Sequence, residues 1–218
     1  MDSYRTEEEQ LEVLKRWWRE NGTSTLLAVA LALAVVFGWQ AWRNHQASQQ
    51  EAASAVYQNL LAAVEGEGSA MSSEQRATAL HLADTLRKEY PDSAYASFAA
   101  LFQARFAVVD KDLEGAEQAL RWVVKQKASD QLAHVATLRL ARVLAARGEF
   151  DAALALLADS PAGFGAAYAE ARGDIHTLAG HPQQALEAYQ QAQASSADAP
   201  QSPLLAMKLA ELGAAGGG

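Results

Sequence analysis

The string DLEGAEQAL (112–120) recurs in outline as GEFDAALAL (148–156) and GHPQQALEA (180–188). Each string opens on turn residues and then places an alanine: Ala116, Ala153 or Ala185. A larger side chain follows one turn later: Leu120, Leu157 or Tyr189. Ala79 extends the series upstream, so the four alanines are separated by 37, 37 and 32 residues. The stretch ahead of each of the last three carries its own small residue, Ala104, Ala141 or Gly173. Two helices packed about 8–10 Å apart need Ala or Gly where they cross. The spacing therefore predicts pairs of helices, each pair crossing at a matched set of small residues.

Outward from these strings the chain alternates helical stretches with short breakers. Val56, Tyr57, Leu60, Leu61 and Val64 form one apolar stripe, which Gly66 and Gly68 break. Ser72 with Gln75 three residues on reads as a capping box, and that helix ends at Tyr90 and Pro91. Further breaks fall at 110–112, at Ser129 and Asp130, at Gly148, at Ser160 and Pro161, at Gly180 and at Pro200. Strand patterns are absent. A last helix over 203–212, with Ser202 as cap and Pro203 in its first turn, reads as a cover for the open end of the stack. Residues 213–218 read as a disordered glycine-rich tail. A period near 34 with this placement of small residues resembles the tetratricopeptide repeat, although the repeat's usual Trp and Tyr on the first helix are mostly missing. The fold expected is all-α: an α-solenoid of about four helix pairs plus a capping helix over 51–212.

Ahead of the repeats, 22 residues between Glu20 and Arg43 carry no charge, and LLAVALALAVVF (26–37) is unbroken apolar sequence. As a helix the uncharged stretch spans roughly 33 Å, close to the hydrocarbon core of a bilayer at about 30 Å. Trp17 and Trp18 precede it, and Trp39 and Trp42 close it, as indoles do at headgroup level. A cleaved signal peptide has a short basic leader, whereas this leader carries Asp2, Glu7, Glu8, Glu9, Glu12 and Glu20. The reading is an uncleaved anchor: tail 1–22, transmembrane helix 23–42, polar linker 43–50. Arg5, Lys15, Arg16 and Arg19 lie before the span, against Arg43 alone in the 20 residues after Trp42. Basic residues stay cytoplasmic, so the tail is expected inside and the large domain translocated. Within the tail, Thr6 and Glu9 suggest a capping box. Leu11, Leu14, Trp17 and Trp18 suggest a short amphipathic helix that breaks at Asn21 and Gly22.

Composition narrows the function. The net charge of −8 gives no electrostatic support to nucleic-acid binding. Without cysteine there are no disulfides, thiolate metal sites or cysteine nucleophiles. No phosphate loop, nucleophile elbow or HExxH motif occurs. The five histidines are scattered, and His176 and His181 flank a turn without sharing a helix face. No enzyme, cofactor, metal site or small-molecule substrate is expected. The expected business of such repeats is protein binding on the concave face, which the first helix of each pair lines. Counting from Ala104 and Ala141, Arg105 and Arg142 should point into it, with Phe98, Leu101, Val135 and Leu138 near the same face. An apolar floor with two arginines suits a partner segment that carries carboxylates. The alternative is that both arginines neutralise neighbours within a domain holding 14 basic and 20 acidic residues after Trp42.

KRWWRENG (15–22), the span closed by Trp39 and Trp42, and LRLARV (138–143) followed by DAAL (151–154) together resemble the YfgM-type ancillary SecYEG translocon subunits. The likeness runs from Tyr4 to Leu212. It implies a non-enzymatic protein of the cell inner membrane beside the Sec translocon, with its repeats in the periplasm. It also implies a partner, a membrane-anchored periplasmic peptidyl-prolyl isomerase chaperone, and a role in passing translocated chains onward. Two other classes stay open on the residues alone. One is a regulatory anchor whose cytoplasmic tail restrains a stress-response regulator; the other is a repeat scaffold for envelope assembly.

Overall fold

The structure is a computed structural model that describes residues 7–65, 71–126, 129–195 and 202–215, and its regular elements are all helices. They are α1 (Glu7–Val64), α2 (Ser73–Glu89), α3 (Ala94–Val109), α4 (Leu113–Gln126), α5 (Asp130–Ala146), α6 (Phe150–Leu156), α7 (Gly165–Leu178), α8 (Pro182–Ser195) and α9 (Pro203–Ala215). The chain divides into two units, 1–51 and 52–218.

The first unit is the greater part of α1, and two expectations change there. Asn21 and Gly22 do not break the helix. The Asn21 side-chain amide donates to the Trp17 carbonyl at 3.3 Å, and Thr25 Oγ1 donates to the Asn21 carbonyl at 2.9 Å. Both polar side chains thus turn back onto the helix's own carbonyls rather than competing with it. The Trp18 indole lies over Gly22, where an added Cβ would sit 3.2 Å from the ring. The polar linker is also helical throughout. Its Ala and Gln residues are good helix formers, so its polarity marks a solvated face and not a break. The capping box expected at Thr6 and Glu9 falls outside the described side chains.

Residues 26–37 are apolar on every side of α1 and exposed on every side. Leu27 is 67 % exposed and Phe37 65 %. A helix buried in a protein core would show the opposite, and α1 is long and apolar enough to cross a membrane.

In the second unit several helix starts and chain reversals have a local cause. The capping box of α2 is formed: Ser72 Oγ accepts from the Gln75 backbone N–H at 3.1 Å, and Gln75 Oε1 accepts from the Ser72 N–H at 2.9 Å. Ser93 caps α3 through the Tyr95 N–H at 3.1 Å. Three later turns share one geometry. Lys111, Gly148 and Gly180 adopt φ of 62°, 82° and 76°. In each case the next residue donates back to a carbonyl five residues earlier: Asp112 to Ala107, Glu149 to Leu144, and His181 to His176. That bond closes a helix C-terminus around one left-handed residue. Each left-handed residue also stands five positions before a crossing alanine, so the turn sets the register of the next helix. Lys111 is the one side chain of the three in this costly conformation. Lys111→Gly is expected to raise stability by about 0.5–1 kcal/mol, measured by urea denaturation of the full chain in mild detergent. Gly148→Ala should lower it by a similar amount.

Successive helices pack as neighbours, α3/α4, α5/α6 and α7/α8, with α9 laid on α8, and the end of α1 joins one hydrophobic cluster with α2 and α3. Ala79, Ala116, Ala153 and Ala185 are all fully buried, as are Ala141 and, to within 3 %, Ala104. Tyr189 lies directly over Gly173. The small residues therefore do stand at the crossings. Leu60, Leu86, Leu120, Leu140, Leu144, Leu157 and Ile175 fill the layers between them. Ser97 is buried with its hydroxyl unpaired. Ser97→Ala removes that desolvated group and should be neutral or stabilising by about 1 kcal/mol in the same assay.

α9 seats Leu205, Leu209 and Leu212 against α7 and α8 and runs to Ala215, three residues beyond the end expected from the sequence. The breakers Gly66, Gly68 and Pro200, and residues 216–218, lie outside the described residues.

Candidate functional site

The first helices of the pairs also touch one another, α3 against α5 and α5 against α7. They form a continuous inner layer, the surface that repeat proteins offer to partners. The residue after each crossing point occupies the same place on this layer: Arg105 on α3, Arg142 on α5 and Asp174 on α7.

Between the C-terminal halves of α3 and α5, floored by α4, lies a trough of about 420 Å³. Its α3 wall is Ala104, Arg105, Val108 and Val109. Its α5 wall is Arg139, Arg142, Val143 and Ala146, and α4 supplies Leu113 and Leu120. The rim is apolar yet open to solvent, with Val108 45 % and Val109 67 % exposed. Arg105, Arg139 and Arg142 are exposed as well.

Charge sets the trough apart from the rest of the surface. Other arginines of the domain have acceptors: Arg76 pairs with Asp110 at 2.5 Å, Arg121 with Glu117 at 2.6 Å, and Arg147 with Glu117 and Glu149. Arg87 and Arg172 form no ion pair among the described residues, but Arg87 donates to Gln103, and Arg172 to Gln191 and the Leu157 carbonyl. Among the described residues Arg105 and Arg139 form no ion pair, and Arg142 reaches Asp174 only at 3.8 Å. Asp174 is itself engaged elsewhere. It accepts from Lys208 Nζ at 2.5 Å and from the Tyr189 hydroxyl at 2.9 Å. Lys208 also donates to Glu170 at 2.8 Å. Burial pulls the Lys208 ammonium down, but the hydrogen bonds and charges of Asp174 and Glu170 outweigh it, and its pKa lies above the ordinary lysine value. This cluster fastens α9 to α7.

The sequence placed six residues on the partner face, and the structure gathers two of them. Arg105 and Arg142 line the trough together. Leu101 and Leu138 are buried in the core at 8 % and 9 % exposure, beneath the layer rather than on it. Phe98 packs on Tyr57, with ring centroids 5.8 Å apart, in a cluster that Tyr95 completes at 5.1 Å from Tyr57. Val135 is half-buried and does not line the trough. The reason is bulk. Aromatic rings fill the N-terminal ends of α3, α5 and α7, where His134, Phe164 and Tyr168 make a second cluster. The C-terminal halves carry Val and Ala, which leave the space open. Arg139, Val108, Val109 and Ala146 were missed. Arg139 stands three residues before Arg142, one helical turn away on the same face, a spacing that could have found it.

Trp17 and Trp18 stand with ring centroids 6.3 Å apart, and Trp39 and Trp42 with centroids 5.1 Å apart. All four are about half exposed or more. From Trp18 to Trp39 the helix rises about 32 Å. His176 and His181, which do not share a helix face, are brought together by the Gly180 turn, with ring centroids 6.1 Å apart. Burial, then the charges of His181 and Arg172, hold the His176 pKa below its ordinary value against the weaker pull of Glu187. The unfolded chain therefore binds this proton more readily, and the associated stability is lost as pH falls below about 6.5. His176→Gln should flatten that part of the stability–pH profile.

The tetratricopeptide repeat-like domain family matches residues 15–214. An ancillary SecYEG translocon subunit of Haemophilus influenzae is 34 % identical over 207 residues, covering 94 % of this chain and 97 % of the relative. The protein of that name from Escherichia coli is 30 % identical over 213 residues, covering 97 % and 99 %. Among solved structures, the TPR-like repeats of a kinesin light chain from Podosopora anserina superpose with a TM-score of 0.50 at 20 % identity, covering 78 % of this chain and 86 % of that one. That likeness speaks for the fold alone. Matched from anchor to capping helix, the chain belongs to the tetratricopeptide repeat-like family of ancillary SecYEG translocon subunits.

Proposed function

We propose that the chain is a non-enzymatic, single-pass adaptor of the inner membrane that sits beside the Sec translocon. Its tail, residues 1–22, lies in the cytoplasm, and its span is 23–42, with Trp17, Trp18, Trp39 and Trp42 at the two headgroup levels. The repeat domain lies in the periplasm and links the translocon to periplasmic chaperones, a membrane-anchored peptidyl-prolyl isomerase among them. The observation that carries this reading is the near full-length likeness to ancillary translocon subunits, which includes the anchor as well as the repeats. The excess of Lys and Arg before the span supports the orientation.

Co-purification in mild detergent tests it. The chain should bring down translocon subunits together with a membrane-anchored isomerase. Recovery of a cytoplasmic regulator instead would make it a regulatory anchor, and recovery of envelope synthases would make it an assembly scaffold.

A further inference from the structure

We infer that the trough between α3 and α5 is a docking site for an apolar polypeptide segment that carries carboxylates, and that Arg105, Arg139 and Arg142 read those carboxylates. The inference rests on the proposed protein-binding role and names the chemistry of one partner.

Three observations meet here. The first is the open apolar surface: Val108 and Val109 are 45 % and 67 % exposed on a protein whose other aliphatic side chains in the repeats are mostly packed. The second is charge. The chain has a net charge of −8, yet this surface gathers three exposed arginines. Two of them form no ion pair among the described residues, and the third has a carboxylate only at 3.8 Å. A guanidinium offers five donors in a planar fork that matches a carboxylate, so Arg105 and Arg139 are donors without a carboxylate acceptor among the described residues, and Arg142 has a distant one. The third is the sequence of the inner layer, Arg105, Arg142, Asp174. The basic stretch ends at α7, where Asp174 stands in the equivalent place, held by Lys208 and Tyr189. A partner's carboxylates are drawn to α3 and α5 and repelled at α7, which fixes how the segment lies. An anionic lipid shares the charge, but an acyl chain needs a deep slot, and this surface is a shallow trough with an exposed rim.

The test uses the full chain in mild detergent and a fluorescent synthetic peptide of leucine, alanine and glutamate. The same peptide with glutamine for glutamate serves as control, and phosphatidylglycerol is added to the micelles as competitor. The glutamate peptide should bind, and the glutamine peptide should bind at least about tenfold more weakly. Arg105→Gln with Arg139→Gln should weaken the glutamate peptide by a similar factor while circular dichroism stays unchanged, because neither side chain forms an ion pair among the described residues. Asp174→Asn should tighten binding, since it frees Arg142 and removes the repulsion. Should that variant lose helix, the arginine pair still decides.

Equal binding of the two peptides would overturn the inference, as would undiminished binding by the arginine variant. Arginine-dependent binding of phosphatidylglycerol that displaces the peptide would make the occupant a lipid and overturn it as well. The outcome is separable from the proposed function. If translocon co-purification survives while peptide binding fails, only the trough reading falls. If peptide binding holds and the translocon is absent, only the translocon reading falls.

Discussion

Gly173→Ala is expected to destabilise the protein by about 2–3 kcal/mol, although alanine is the better helix former by about 1 kcal/mol. The added Cβ would lie 2.3 Å from Tyr189 Cε1 and 2.4 Å from Cδ1. The ring has little freedom to retreat. Tyr189 is 3 % exposed, its hydroxyl donates to Asp174 at 2.9 Å, and it lies 3.3 Å from Thr177 Oγ1. Displacing it opens the crossing of α7 with α8 and breaks the cluster that fastens α9. For a chain of this size the loss corresponds to a fall in melting temperature of roughly 5–10 °C. Tyr189→Leu should make the alanine far less harmful, and a double-mutant cycle would read the coupling. A Gly173→Ala variant that melts with the parent would show that the two helices do not cross here.

Ala153→Leu is expected to cost about 1–3 kcal/mol through overpacking, because Ala153 is fully buried where α6 meets α5. Ala155→Leu adds the same methyl groups to the same helix at an exposed position and should be nearly silent. If both variants unfold at the same urea concentration, the register that places Ala153 with Ala79, Ala116 and Ala185 is wrong.

These two positions were legible without coordinates because close approach leaves a mark that nothing else in a helix leaves: an alanine or glycine at a fixed place in every repeat. The turns were legible for a similar reason. Gly148 and Gly180 announce a left-handed residue, and only Lys111 hides one. The anchor helix was harder. Asn21 and Gly22 read as a break, and 43–50 as a linker, because polarity alone cannot tell a solvated helix from a loop. What decides is whether the polar side chains turn back onto the helix, as Asn21 and Thr25 do. The trough between α3 and α5 was half legible. Register placed Arg105 and Arg142 together. It could not show that Leu101 and Leu138 sink between neighbouring helices, or that Phe98 is taken up by Tyr57. Those outcomes depend on side-chain bulk contributed by other repeats.

The central claim, an anchored repeat domain facing away from the cytoplasm, is tested most directly by protease treatment of intact spheroplasts, followed with separate antibodies against the tail and the repeats. The account predicts that the repeat domain is degraded while a fragment bearing the tail survives until the membrane is dissolved. Survival of the repeats with loss of the tail, or protection of both ends, would contradict it.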